Sequence, residues 1–200
     1  MPYHEVLWGS LRDEETESVV LPTDFAAAQK LQLRIVERLE RDGIPNKEGF
    51  WLRLGLEEGL VNAIKHGNLE DFNPLRDAPS HFRERTVKVE YALGATDPFT
   101  IERECPENDG VRILRKEACS RVFRICIHDQ GKGFDPQKLA DCRAKENLEK
   151  PSGRGLLLMR TAFDHVDHED SGRRLMLAIA YARNRVCTMT PEVAHTIVRV

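Results

Sequence analysis

Two consecutive helical segments are the feature of this sequence that most restricts its fold. A short apolar stretch at residues 18–21 predicts a strand, and apolar residues then recur with helical spacing over residues 24–42 and roughly 47–66. Gly67-Asn68 predicts the end of the second helix. Two helices in succession do not fit a simple alternation of strand and helix, and the strand before them does not fit an all-helical bundle.

The remainder of the chain reads mainly as strands. Alternating residues predict strands at 86–91 and 121–128, a helix follows a long loop, and two strands close the pattern. That last helix covers residues 156–163, and the last two strands lie around Val166 and at 175–183. The order strand-helix-helix-strand-strand-loop-helix-strand-strand predicts an α+β fold built as a two-layer sandwich.

Composition excludes several classes of protein. The chain has 200 residues and a formal net charge of −3, whereas proteins that bind nucleic-acid backbones are usually basic. No apolar run approaches the roughly 20 residues needed to span a bilayer, and residues 1–12 do not resemble a signal peptide. Five irregularly spaced cysteines fit a reduced cytosolic protein. We therefore expect a soluble, cytoplasmic protein without direct nucleic-acid or membrane contacts.

The first segment that suggests chemistry lies in the second predicted helix. Glu58 and Asn62 are one helical turn apart on the same face, and His66 follows one turn later. A carboxylate beside an amide oxygen could activate a hydroxyl group next to Mg²⁺, which prefers oxygen ligands. Taken alone, the segment is explained equally well by an amphipathic helix with a solvated face.

Two glycine-rich segments follow. Residues 129–134 (Asp-Gln-Gly-Lys-Gly-Phe) come directly after a strand, where the aspartate can accept from an exocyclic amine and the glycines permit close approach of a ligand. Residues 152–156 (Ser-Gly-Arg-Gly-Leu) open a helix, whose free N–H groups favour an anion. Leu158 stands where a dinucleotide fingerprint needs its third glycine, and the chain contains no P-loop string. Each segment alone could be an ordinary surface turn.

Together and in this order, the three segments resemble the motifs of the GHKL ATPase superfamily, which includes gyrase and the histidine kinases. Residues 58–62 look like its N-box, residues 129–133 like its first glycine box and residues 153–155 like its second. The N-box pattern Glu-x-x-x-Asn-Ala-x-x-His-Gly is most similar to that of the bacterial anti-sigma-factor serine/threonine kinases. The resemblance implies the Bergerat ATP-binding fold, with a mixed, mostly antiparallel sheet and helices on one face.

The resemblance also implies a role for each matching residue, with ATP and Mg²⁺ as the cofactors. Glu58 would be the general base that takes the proton of a serine or threonine hydroxyl, Asn62 would bind Mg²⁺, and Asp129 would accept from the adenine amino group. The other positions assigned to the nucleotide are Lys65, His66, Gly131, Gly133, Phe134, Gly153, Arg154, Gly155 and Leu156. For Lys65 and His66, a cation at the C-terminal end of a helix is an equally good explanation.

The expected domain is larger than the compact kinases of that branch. The ATPase domain is predicted at residues 16–185, between an N-terminal extension (1–15) and a C-terminal tail (186–200). Insertions near residues 69–85 and 94–117 have no counterpart in those kinases, and the second contains a turn signal at its centre.

The resemblance finally implies protein partners. These are a sigma factor, a STAS-domain anti-anti-sigma protein that is phosphorylated, or both, and a second copy of the chain in a homodimer. Pro151 stands where a basic residue is common in that branch, and Arg173 where threonine is common. Two other functions remain open, namely an ATP-gated binding module without kinase activity and a sensor-kinase ATPase half that docks on a separate phosphoacceptor.

Overall fold

A computed structural model describes residues 3–73, 77–106, 112–136, 154–183 and 197–198. Its helices are α1 (Tyr3–Trp8), α2 (Phe25–Asp42), α3 (Asn46–Asn62), α4 (Ser80–Arg83) and α5 (Arg154–Ala162), with a π-helical turn (Ala63–Asn68) after α3 and a 3₁₀ turn (Asp170–Gly172) before the fifth strand. Its strands are β1 (Arg12–Pro22), β2 (Thr86–Pro106), β3 (Arg112–His128), β4 (His165–Glu169), β5 (Arg174–Tyr181) and β6 (Ile197–Val198).

The strands form one sheet in the order β1-β2-β3-β5-β4, and β6 pairs with the outer part of β3. All the described strand pairings are antiparallel, which agrees with the expected mostly antiparallel sheet, and no parallel pair occurs in this part of the chain. The predicted α+β sandwich is confirmed. Within the described ranges, no helix combines the length and apolar character needed to span a bilayer.

The main core lies between the sheet and the helices α2, α3 and α5. Alternate residues of β3, namely Phe123, Ile125 and Ile127, point into it because successive side chains of a strand face opposite sides. Helix α2 begins where Asp24 Oδ1 accepts a hydrogen bond from Ala26 N (2.8 Å), and it ends at Gly43, whose φ of 90° is left-handed. Local capping therefore fixes both ends of this helix as the sequence predicts.

The opposite face of the sheet carries a smaller apolar cluster. Leu7 of α1 is fully buried there against Val122 and Ala178, beside Ala180 and Ile101. The sequence analysis did not predict α1, because six residues are too few for helical periodicity to be recognised. The predicted arrangement of helices on one face thus holds for α2, α3 and α5, and α1 covers part of the other face.

Strands β2 and β3 are much longer than the predicted strands at 86–91 and 121–128. Ala95 is the outermost residue of β2 that pairs with β1, and Arg121 is the outermost residue of β3 that pairs with β5. Beyond these two residues, β2 and β3 continue to pair with each other as far as Pro106 and Arg112. The second predicted insertion is therefore the outer part of one long hairpin. Residues 107–111, which hold most of the predicted turn, lie outside the described residues.

A buried charge cluster ties the C-terminal end of α2 to the sheet. Asp42 accepts two hydrogen bonds from Arg121 (2.7 and 2.8 Å), one from Tyr181 (2.6 Å) and one from Arg183 (2.8 Å). Burial alone would raise the pKa of the Asp42 carboxyl, but these donors together hold that pKa below its usual value. The cluster lies at the end of the sheet opposite to Asp129.

Candidate functional site

The last turn of the second helical segment shapes the site. The segment ends at Asn68, as Gly67-Asn68 predicts, but its last six residues (Ala63–Asn68) form a π-helical turn and not a regular α-helical one. A Cβ atom added to Gly67 would lie 2.6 Å from Asp129 Oδ1, closer than such atoms can approach. Gly67 is therefore placed for close approach to the first glycine-rich segment, and it lacks the positive φ of a glycine that caps a helix. π-helical turns are frequent at functional sites.

Asp129 follows β3 directly and is 9% exposed. Its Oδ1 atom accepts a hydrogen bond from Gly131 N (2.8 Å), and its own N–H donates to the carbonyl of Arg173 (3.0 Å). Burial raises the pKa of the Asp129 carboxyl above its usual value, although the Gly131 amide and the nearby His128 and Arg173 act in the opposite direction. A Cβ atom on Gly131 would overlap the Gly67 carbonyl group, so the two segments pack backbone to backbone.

The second glycine-rich segment meets α3 at its polar face. Helix α5 begins at Arg154, and a Cβ atom on Gly155 would overlap Glu58 Oε2 and lie 3.4 Å from Asn62 Nδ2. Glu58 and Asn62 are both half-buried. The Glu58 carboxylate thus occupies the place that a side chain at position 155 would take, next to the first turn of a helix. Gly153 lies outside the described residues.

Three segments that are distant in the sequence therefore converge around α3. One end of the site holds a buried carboxylate at a strand end, and the other holds a carboxylate and an amide beside a helix N-terminus. The unpaired N–H groups of a first helical turn attract phosphate groups. The arrangement can accept a hydrogen bond from a base at one end and receive an anion at the other.

Comparison with known proteins agrees with this geometry. A family model of the histidine kinase-like ATPase domain matches residues 21–179 of the chain. The chain belongs to this family. Its domain is therefore an ATP-binding module of the GHKL type, as the three motifs predict. A search among curated proteins returns no match to the chain.

The ATPase domain contains a buried polar residue that the sequence analysis did not assign to the site. Asn68 is 0% exposed. Its Oδ1 atom accepts from Gln130 N (2.7 Å), and its Nδ2 group donates to Thr23 Oγ1 (2.8 Å). The sequence offered only a weak signal, because an asparagine after a glycine at the end of a helix is typical of a helix stop.

The turn between β4 and β5 of the ATPase domain supports the first glycine-rich segment from the other side. Asp170, Ser171 and Gly172 all have positive φ angles, and the Ser171 carbonyl accepts from Phe134 N (2.8 Å). The Phe134 ring packs against Gly172 and makes an edge contact with His168, with 5.2 Å between ring centroids. Gly133 itself has a φ of 73°, a conformation that favours glycine. Phe134 remains 41% exposed beside the site.

The other predicted nucleotide contacts lie at the margin of the ATPase domain's site. His66 is exposed, and its Nδ1 atom lies 2.6 Å from Asp71 Oδ1. Lys65 is also exposed, and its backbone carbonyl accepts from Asp71 N (2.8 Å). Leu156 is partly buried against the main core. The nucleotide roles of Lys65, His66 and Leu156, like those of the other predicted site residues, stay predictions.

Proposed function

We propose that this ATPase domain is an ATP- and Mg²⁺-dependent protein serine/threonine kinase that regulates a sigma factor. In this proposal it binds the sigma factor and phosphorylates a STAS-domain antagonist, and it acts as a homodimer. The observation that supports kinase activity most directly is the position of Glu58. Its carboxylate faces Gly155 beside the N-terminal turn of α5, where the phosphates of a nucleotide would be held.

The chemical step requires one base and precise positioning. Glu58 accepts the proton of the substrate serine or threonine hydroxyl, and the hydroxyl oxygen forms a bond to the γ-phosphorus of ATP. The bond between that phosphorus and the bridging oxygen breaks, and ADP leaves. General bases contribute about 10²- to 10⁴-fold to such reactions. The protein otherwise orients the reactants and stabilises negative charge.

The residues present fit a magnesium ion that is shared with the nucleotide. In the described part of the chain, no cluster of three or more His, Cys, Asp or Glu side chains could hold a metal ion by itself. Mg²⁺ usually needs only one or two protein ligands when phosphates supply the others. The Asn62 side-chain amide, whose Nδ2 atom lies near Gly155, would supply its oxygen as that ligand. Bound there, the ion would neutralise phosphate charge.

The test is phosphotransfer from labelled ATP to a purified STAS-domain protein. We expect Glu58→Gln to bind ATP with nearly unchanged affinity but to transfer phosphate at least about 10²-fold more slowly. Glu57→Gln is the matched control, because Glu57 is the exposed neighbour on the same helix and should transfer at the wild-type rate. Equal transfer by wild type and Glu58→Gln would exclude Glu58 as the base.

A second outcome identifies the alternative function. If the wild-type domain binds ATP but phosphorylates neither the STAS protein nor the sigma factor, the domain is an ATP-gated binding module without kinase activity. Analytical ultracentrifugation of the full chain with and without the sigma factor tests the proposed homodimer and the proposed complex in the same experiment.

A further inference from the structure

Asn68 lies where four separate segments of the domain meet. Its side chain joins the π-helical turn to Thr23, which precedes α2, and to Gln130 in the first glycine-rich segment. The Thr23 hydroxyl in turn donates to the carbonyl of Arg85 (2.6 Å) at the start of β2. An asparagine is suited to this position because its side-chain amide carries both an acceptor oxygen and a donor nitrogen, and each atom makes a hydrogen bond here.

The segment between the π-helical turn and β2 reinforces this junction. Arg85 donates to the Asn68 carbonyl (2.9 Å) and to Glu70 Oε1 (3.0 Å), and its guanidinium group lies 4.0 Å from the centre of the Phe82 ring. Gln130 is held a second time, because its Oε1 atom accepts from Thr86 N (2.7 Å). Gln130 is thus held to the π-helical turn through its backbone N–H group and to β2 through its side chain.

Gln130 lies directly between Asp129 and Gly131, whose amide donates to the Asp129 carboxylate. We propose that Asn68 is a positioning residue that sets the base selectivity of the nucleotide site, by holding the Gln130 amide and so the orientation of Asp129. This inference rests on the proposed role of Asp129 as the acceptor for the adenine amino group. Adenine carries an amino group at the position where guanine carries a carbonyl oxygen.

A correctly placed carboxylate therefore favours ATP and repels GTP. Sites built around a buried hydrogen-bonding partner discriminate strongly, because the wrong ligand leaves that partner unpaired. If the Gln130 amide loses its acceptor, the Asp129 segment can move, and the contrast between the two bases decreases. A loss of general stability would instead weaken the binding of ATP and GTP by the same factor.

The experiment compares dissociation constants of ATP and GTP by titration calorimetry on the full chain. We expect Asn68→Ala to lower the ratio of the GTP constant to the ATP constant at least tenfold. Gln32→Ala is the matched control, since Gln32 is also a buried amide (4% exposed) but donates to the Arg53 carbonyl (2.7 Å) between α2 and α3. That variant should be destabilised and should keep the wild-type ratio.

A second pair of variants covers the case in which Asn68→Ala does not fold. Gln130 is exposed, so changes there are better tolerated. Gln130→Pro removes the N–H group that donates a hydrogen bond to Asn68 Oδ1, whereas Gln130→Ala retains that group. We expect the ratio to fall much further in the proline variant than in the alanine variant. Equal ratios in that pair, or a wild-type ratio in folded Asn68→Ala, would refute the positioning role.

Asp129→Asn separates this inference from the function on which it rests. If Asp129→Asn leaves ATP affinity and the ATP-to-GTP contrast unchanged, then Asp129 is not the adenine acceptor and the proposed nucleotide site is wrong. If Asp129→Asn removes the contrast while the Asn68 and Gln130 variants retain it, the adenine site stands and only the role of Asn68 is refuted.

Discussion

At the level of a single residue, Asp129 lies in the candidate site, and the burial of its carboxylate has an energetic cost. Because its pKa is raised, mainly by burial, the ionised carboxylate is less stable in the folded protein than in water. We expect Asp129→Asn to leave the melting temperature of the nucleotide-free protein unchanged or raised, and to weaken ATP binding at least tenfold, which is about 1.4 kcal/mol. Differential scanning fluorimetry and calorimetry measure the two effects.

The pH dependence of this prediction has a definite sign. The cost of ionised Asp129 is fully present above its raised folded pKa, and it disappears as the pH falls towards the unfolded value of 3.8. Any stability advantage of Asp129→Asn should therefore be larger at pH 7 than near pH 3.8, the unfolded value. An advantage that grows on acidification would contradict the assignment of burial as the main cause.

Gly155→Ala should lower activity without lowering the stability of the fold. A Cβ atom there would overlap Glu58 Oε2, the end of a flexible side chain that can move aside at little cost. We expect Gly155→Ala to leave the fold as stable as wild type, or stabilised by up to about 1 kcal/mol by helix propensity. Phosphotransfer, or ATP turnover, should fall about 10²-fold because the displaced carboxylate no longer acts as the base.

Gly49→Ala is the control for that substitution. Gly49 also lies in a helix, and a Cβ atom there would meet only Ile44 Cγ2 at 3.8 Å, an ordinary contact. That variant should retain wild-type activity. Full activity in Gly155→Ala would show that the close packing of the Glu58 carboxylate on Gly155 is not required for activity.

Among the secondary-structure elements, α2 depends on the charge cluster at its C-terminal end. Asp42→Ala would leave the guanidinium group of Arg121 buried without its carboxylate, since the two side chains are each only 10% exposed. Breaking a buried ion pair in this way costs about 3–5 kcal/mol, which urea denaturation would measure. Glu40→Ala, at an exposed position of the same helix, should change stability by less than about 0.5 kcal/mol.

The lowered pKa of Asp42 also determines how the stability difference between wild type and Asp42→Ala varies with pH. Because the folded pKa lies below the usual value of 3.8, Asp42 contributes stability above that value and loses the contribution as the pH falls through the lowered pKa. The gap between wild type and Asp42→Ala should therefore be constant from pH 7 to pH 5 and decrease in stronger acid.

Element boundaries could be predicted from the sequence where a local interaction sets them. Asp24 and Gly43 fix α2 through contacts within a few residues, so both of its ends were predicted correctly. The outer parts of β2 and β3 were not, because their length depends on pairing with each other and not on alternation within either strand. In the candidate site as well, local sequence patterns could be recognised and long-range contacts could not. Glu58, Asn62 and Asp129 stood in a recognisable pattern, whereas the partners of Asn68 lie 45 and 62 residues away.

At the scale of the whole molecule, the two ends of the sheet have different tasks. The end formed by Asp129 and the π-helical turn carries the proposed nucleotide site, and the opposite end carries the Asp42 cluster, which stabilises the fold. Mutations more than about 10 Å apart with no shared partners usually have additive effects. The Asp42 and Asp129 substitutions should therefore add in stability, and only the Asp129 change should alter ATP affinity.

The backbone contact between Gly67 and Gly131 also affects how the protein folds. These glycines lie on either side of the long β2–β3 hairpin, so their contact closes a loop that contains the whole hairpin. Closing a long loop costs chain entropy before the contact provides any stabilisation, so non-local contacts of this kind slow folding. We therefore expect the ability to bind ATP to appear late in folding.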